Sequence, residues 1–442
     1  MKSFRHFLFI FFSVATLAAQ AQLDIAMQQL TMTYQRSYTN PALVPDVKFH
    51  LGLPVMSYIS GSVNTGIRAN DLFKIEGDVL KVNISAAIDN LQERNSFMTA
   101  FSTDLLSLGF KAGKGFVLFN VTERMKADFS YSKDFFDFIY YGNGASLGKE
   151  MKFDFGINAV EYSEIGLGYG RSFKDKLFVA AKVKYYLGKM SIETRDAFFH
   201  ITTAEDDFTI TATSNLDLNT SIPNEDMMDI GKILTGNTGY GVDLGAVYKL
   251  NHKLSFSMSI IDIGYIKWKE NITNLSSRNK EAKFVYSGLD PDIFFSDSTS
   301  LEDDLEVLQD SLMKLFEIDQ HHYAYKQAMP MQAYLGAKYK FTKHLSAGAT
   351  ISCEKFRENF YPGFSIYGLG EFGKIMNLVL TYSIYRNSFT NLGIGTSFNL
   401  GPFQWYIATN NALGLITPLN SKYFDIRTGM NLTFARHKGF NH

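Results

Sequence analysis

The chain has 442 residues, with 43 Lys and Arg against 44 Asp and Glu, and Cys353 is its one cysteine. A formal net charge of -1 gives no pull toward nucleic acid, and a single cysteine excludes an internal disulfide. A mean hydropathy of -0.07 beside 15% aromatic residues excludes a helical membrane protein and suits a chain in which only alternate residues meet lipid.

Lys2, Arg5 and His6 precede an apolar run from Phe7 to Leu17, which closes on Ala19-Gln20-Ala21. This order predicts a secretory signal peptide over 1–21 with cleavage before Gln22. The run is shorter than the ~20 residues of a spanning helix, and no cysteine follows the cut to carry a lipid. Residues 22–47 do not alternate, and Pro41 and Pro45 remove ladder donors, so a strand is not expected there. The segment reads as an N-terminal plug or periplasmic lead-in, with Asn40, Pro41 and Ala42 as its motif; a disordered tail is the other reading.

From 48 to 435 the period is two. In Thr390 to Leu400, Leu392, Ile394, Phe398 and Leu400 oppose Asn391, Gly393, Gly395, Ser397 and Asn399. In Tyr423 to Ala435, Phe424, Ile426, Met430, Leu432 and Phe434 oppose Asp425, Arg427, Gly429, Asn431 and Thr433. Strands are expected near 48–58, 79–88, 102–111, 115–131, 151–160, 163–173, 177–187, 239–250, 253–264, 281–287, 330–341, 344–356, 362–371, 375–386, 390–400, 402–410 and 423–435. Lys174-Asp175-Lys176, Asn251-His252-Lys253 and Thr342-Lys343-His344 read as short periplasmic turns. The pattern predicts an all-β fold, a transmembrane antiparallel β-barrel of about 14 strands within a range of 12 to 16, in the outer membrane. A soluble all-β protein would alternate too, but with strands of ~5–6 residues and without so regular a polar second face.

Six charged residues fall on the polar parity: Asp154, Lys182, Lys184, Asp243, Lys338 and Lys340. They are candidates to face the lumen, either shaping a passage or only hydrating the interior. Cys353 shares the apolar parity of Leu345, Ala347, Ala349 and Ile351 and is expected to face lipid.

The strands stop over 288–329, a loop insertion where Leu301, Leu305, Leu308, Leu312 and Leu315 keep helical spacing among acidic residues, opened by a cap-like Ser300. This amphipathic helix is a lid, a docking element or a passive packing element. A second short helix is expected over Asn224 to Leu234, and residues 436–442 form a C-terminal tail.

No catalytic constellation emerges. The sequence has no Gly-x-Ser-x-Gly elbow and no His pair at zinc-binding helical spacing. Only His50 and His200 fall on strand faces, and spacing places no Ser or carboxylate beside either. His321-His322 with Asp319 point apart in a strand. No enzyme activity, metal or cofactor is expected.

Tyr38-Thr39-Asn40-Pro41-Ala42, the run Gly236 to Tyr248 with its Gly-Tyr-x-x-Asp-x-Gly-x-x-Tyr spacing, and Asp262-Ile263-Gly264-Tyr265-Ile266-Lys267-Trp268 resemble elements of uncharacterised Bacteroidota outer-membrane barrels. That family is similar to FadL-type transporters of hydrophobic compounds and to the PorV proteins of type IX secretion. The resemblance implies a barrel of about 14 strands with an N-terminal segment in or under the lumen. Such barrels commonly end on an aromatic residue, whereas here eight residues follow Phe434. Two functions follow from it: a FadL-like channel or carrier for a hydrophobic or amphipathic small molecule, or an accessory or scaffold barrel for a secretion system or cell-surface assembly. The partners implied are outer-membrane lipid and lipopolysaccharide, the barrel-assembly machinery, and a hydrophobic ligand or secretion-system component, with no nucleic acid.

Overall fold

The computed structural model describes residues 24–76, 79–223, 236–278, 283–286, 318–356, 359–385 and 388–436. The expected signal peptide, the helix over 301–315 and the helix near 224–234 lie outside them, as does the tail apart from residue 436.

Twenty-two strands are present among the described residues. They are β1 (Val47–Gly52), β2 (Ile59–Asn64), β3 (Phe73–Glu76), β4 (Val79–Val82), β5 (Arg94–Ala112), β6 (Gly115–Ser132), β7 (Glu150–Phe173) and β8 (Leu177–Thr203). Next come β9 (Ile210–Ser221), β10 (Thr238–Lys249), β11 (Leu254–Trp268), β12 (Ile272–Ser277), β13 (Lys283–Tyr286), β14 (Ile318–His321) and β15 (Tyr325–Ala328). The last are β16 (Met331–Lys340), β17 (Leu345–Phe356), β18 (Asn359–Phe372), β19 (Met376–Tyr385), β20 (Ser388–Leu400), β21 (Phe403–Thr409) and β22 (Tyr423–Arg436). Antiparallel pairing runs from β5 through β8, on through β10, β11, β16 and β17, and so to β22. β1 and β2 share one place in the ring, each pairing β22 on one side and β5 on the other. The result is a closed barrel of 14 strands.

Closure leaves no sheet edge to satisfy, which is what a strand-built wall needs in hydrocarbon. The two parities of each strand then part company. Leu335 and Ile351 are 53% and 57% exposed on the outside while Gly336 and Thr350, one residue along, are buried inside. Val183, Met258 and Leu380 repeat this around the ring. An apolar surface on this scale is a lipid-facing belt. Cys353 lies on the outward parity, half-buried.

The joints at one end are tight. Lys174 and Asp175 both take positive φ (49° and 53°) between β7 and β8, the backbone of a twist-matched hairpin turn. Gly401 does the same between β20 and β21 (φ 63°). Both ends of the barrel sequence, Val47 and Arg436, meet at this end. The long connections all lie at the other.

Five of the expected strands need correcting. The stretch 48–58 is not one strand: it breaks after Gly52 at Leu53-Pro54, Val55 takes φ 64°, and pairing resumes at Ile59. Proline ends the ladder, and the wall is carried across the break by single bonds such as Val55 N to Asp104 O at 2.8 Å. The stretch 79–88 gives β4 only to Val82, because Asn83 caps a helix over Ile84–Asp89, accepting from Ala86 N at 3.1 Å. The two strands expected at 151–160 and 163–173 are one strand of 24 residues, and 177–187 is the lower part of a strand of 27. Above the belt, β8 leaves β10 and pairs β9, which pairs β12 and β13, extending the wall into a sheet beyond the ring. There Met151, Phe153, Ile201 and Ala212 pack under Phe135 and Phe138 of a helix over Lys133–Tyr141.

Candidate functional site

The inside of the ring is occupied by the chain's own beginning. Residues 24–46 carry a short helix, Ile25–Gln28, and a 3-10 turn, Gln35–Tyr38, and are buried almost throughout. Their bonds reach strands all round the ring: Ala26 N to Asn410 Oδ1 (3.0 Å), Tyr34 Oη to Phe119 O (3.0 Å), Gln35 to Asn431 (3.0 Å) and Thr31 to Glu371 (2.8 Å). The Asn40-Pro41-Ala42 motif has a specific task. Asn40 Oδ1 accepts from Ala42 N at 2.9 Å, folding a tight turn, while its amide donates to Met258 O at 3.1 Å. Ser259 Oγ donates to Thr39 O at 2.7 Å from the same strand. Opposite stands Gly245, where a Cβ would come within 2.1 Å of Asn40 Oδ1, so the close approach of segment and wall requires glycine.

A buried charge cluster lies beside this segment. Glu164, fully buried, receives Arg124 at 2.9 Å, Lys182 at 3.0 Å and Lys184 at 3.4 Å. Lys184 also meets Asp243 at 2.9 Å and Asp262 at 2.6 Å, and Asp262 N donates to Asp243 at 2.8 Å. Three cations face three carboxylates, so the group is neutral as a set. Charges so buried are tolerated only when each finds opposite charge and hydrogen bonds. Asp262 is turned in by a bulge: its φ is 60°, and the β10–β11 register slips beside it.

Tyr38 ties the segment to this cluster. Its hydroxyl donates to Asp104 at 2.6 Å, and Lys182 Nζ lies 5.1 Å from its ring centroid. Burial, and then the Asp104 carboxylate, push the Tyr38 phenol well above its ordinary value, so it donates as a neutral hydroxyl. Asp104 also accepts from Thr122 at 2.7 Å and from Ser57 at 3.2 Å, at the break in the first strand. Two further sets lie in the lumen: Arg427 with Asp24 and Asp425, and Lys126 with Glu354 (2.6 Å), which Tyr385 also contacts.

Of the six lumen candidates, the structure brings together Lys182, Lys184 and Asp243. Lys338 and Lys340 stand apart, half-buried at the tight-turn end, and Asp154 stands above the belt, where its half-exposed carboxylate meets His200 at 2.9 Å. Glu164, Arg124 and Asp262 are members that spacing did not single out, and neither did it single out Asp104 beside them. Glu164 was within reach, since it shares its parity with Gly166, Gly168 and Gly170. His50 does meet a serine, Ser107 Oγ at 3.2 Å, and stacks on Tyr34 with centroids 4.1 Å apart. Its Nδ1 has no partner among the described residues, so no carboxylate orients it as a catalytic base.

The profile of a family of unknown function, DUF5723, matches residues 41–410. The chain belongs to the DUF5723 family. No curated relative matches it. Among solved structures, the DUF5723 chain is similar to a Pseudomonas aeruginosa FadL homologue, with 9% identity over 95% of this chain and 100% of that one and a TM-score of 0.45. It is also similar to the Ralstonia pickettii toluene transporter TbuX (8%, 95% of each chain, TM-score 0.39). The Pseudomonas putida toluene transporter TodX matches at 10%, over 94% and 93%, with a TM-score of 0.37. The barrel of this DUF5723 chain is established by its own closed ladder.

Proposed function

We propose that this barrel is an outer-membrane carrier for a hydrophobic or amphipathic small molecule, closed at rest by residues 24–46. One observation carries the reading: the lumen is filled by a segment of the same chain, held by polar contacts that can break and re-form. A wall of 14 strands encloses room that a barrel built only as an anchor would not need. The lipid-facing belt and the expected signal peptide support a site in the outer membrane on this reading, amid phospholipid and lipopolysaccharide, after insertion by the barrel-assembly machinery.

The test is reversible locking. In a Cys353→Ser background, Gln35→Cys and Asn431→Cys are joined by a short reducible thiol cross-linker, and uptake of labelled toluene and oleate is followed in cells lacking their own hydrophobic-compound barrels. Uptake above the empty-vector level, abolished by the cross-link and restored by reductant, is the expected result. Equal uptake in the locked and unlocked proteins, or none of either probe, would sink the proposal.

A further inference from the structure

At the tight-turn end, between the N-terminal segment and the wall, lies a cavity of about 510 Å³. Arg36 from the segment, Lys249 of β10, and Lys338 and Lys340 of β16 line it, with Lys176, His252 and Lys253 at the turns nearby. Asp175 lines it as well. Leu43, Val247 and Tyr367 give it an apolar side.

This cavity inverts the rule obeyed in the central cluster. There, each cation has its carboxylate. Here, among the described residues, no carboxylate lies within ion-pair distance of Arg36, Lys338 or Lys340. Arg36 is 3% exposed and is held by carbonyls, its Nε donating to Gln28 O at 3.1 Å. Burial pulls its guanidinium down to about 10, with Tyr367, Asp46 and Glu371 acting the other way, so it stays charged at neutral pH. Lys338 has Arg36, Lys340 and Lys249 as like-charged neighbours, with Glu371 opposing them, and of these Lys249 is itself opposed by Asp46 and Asp175. Like charges gathered round a half-enclosed space repel one another, and an anion seated among them removes that cost.

We propose that this cavity binds a phosphoryl group, carried by a lipid head or free. Phosphate brings up to two negative charges and several acceptor oxygens, which suits one planar guanidinium fork and several point-charge ammonium groups. The space exceeds a bare anion, and the Leu43, Val247 and Tyr367 side leaves room for the organic part of an ester.

The experiment is calorimetric titration of the full barrel, in phosphate-free nonionic detergent, with inorganic phosphate and with dihexanoyl phosphatidic acid. Wild type, the double variant Lys338→Gln/Lys340→Gln and the distant control Lys152→Gln are compared, each checked for folding by its heat-dependent electrophoretic shift. At least one probe should bind wild type and the control with Kd below about 1 mM, and bind the double variant at least about tenfold more weakly. Phosphatidic acid binding about tenfold tighter than phosphate assigns the lipid head; equal affinities assign the free anion. No binding of either probe at about ten times that concentration, or undiminished binding by a folded double variant, overturns the site. Toluene and oleate uptake is a separate readout, so the carrier reading and the phosphoryl site can fail independently.

Discussion

Replacing Lys184 by methionine keeps its bulk and removes its charge from the place where three carboxylates converge. The ammonium stands 2.6 Å from Asp262, 2.9 Å from Asp243 and 3.4 Å from Glu164, with its side chain 1% exposed. Without it, those three carboxylates face only Arg124 and Lys182, leaving one unbalanced negative charge out of water. Removing one partner of a buried pair costs about 3–5 kcal/mol, mostly because the other is left uncompensated. Asp262→Asn deletes an opposing charge and suits the backbone, since asparagine tolerates the positive φ there. The two changes together should therefore cost less than their sum by about 1–3 kcal/mol. Equilibrium unfolding in urea, scored by the fraction of protein keeping its heat-sensitive fast migration, measures both quantities. If Lys184→Met lies within about 1 kcal/mol of wild type, or the pair is additive, the cluster is not held by mutual compensation and the account is wrong.

Three other outcomes follow from the geometry. Tyr38→Phe, which deletes the 2.6 Å bond to Asp104, should cost about 1.5–3 kcal/mol in the same assay. Gly245→Val should expel the Asn40 turn, seen as new protease sensitivity near residues 39–42 and as ion conductance in planar bilayers, while Gly368→Ala, with nothing within 4 Å of its Cβ, should do neither. Leu335→Arg, midway along a lipid-facing strand, should cost about 2–4 kcal/mol, whereas Phe208→Arg at an exposed turn above the belt should stay within about 0.5 kcal/mol.

The barrel was legible in the sequence where lipid and lumen both press on a strand. Residues 390–400 and 423–435 alternate with few exceptions, such as Thr396 and Thr428 on the outward parity, because outward positions meet hydrocarbon and inward ones meet polar groups. Legibility fails where that pressure stops. Upper β7 runs through Asn158, Ala159 and Val160, all buried in sequence, so an unbroken strand reads as two. The break at Pro54-Val55 and the cap at Asn83 are local events inside a periodic pattern, and the period outvotes them. In the lumen, parity finds Lys182, Lys184 and Asp243 but not which carboxylate answers which lysine. That depends on register between strands far apart in the chain, and at Asp262 on a bulge that resets the parity.

The ring is sewn shut where the chain has least thread. Its two ends meet across a seam in which β1 and β2 offer six residues each, parted by the kink at Val55, while β5 and β22 on either side run to 19 and 14 residues. Stitches from inside make up the difference: Tyr406 Oη reaches Ser57 O at 2.9 Å, Gln35 clasps Asn431, and Asp24 takes Arg427. Two of these three fasteners come from the segment that fills the hole. Filling and wall are therefore one object mechanically: whatever withdraws the segment far enough to free a passage also loosens the join most ready to part, and a cargo large enough to need the first must be small enough to spare the second.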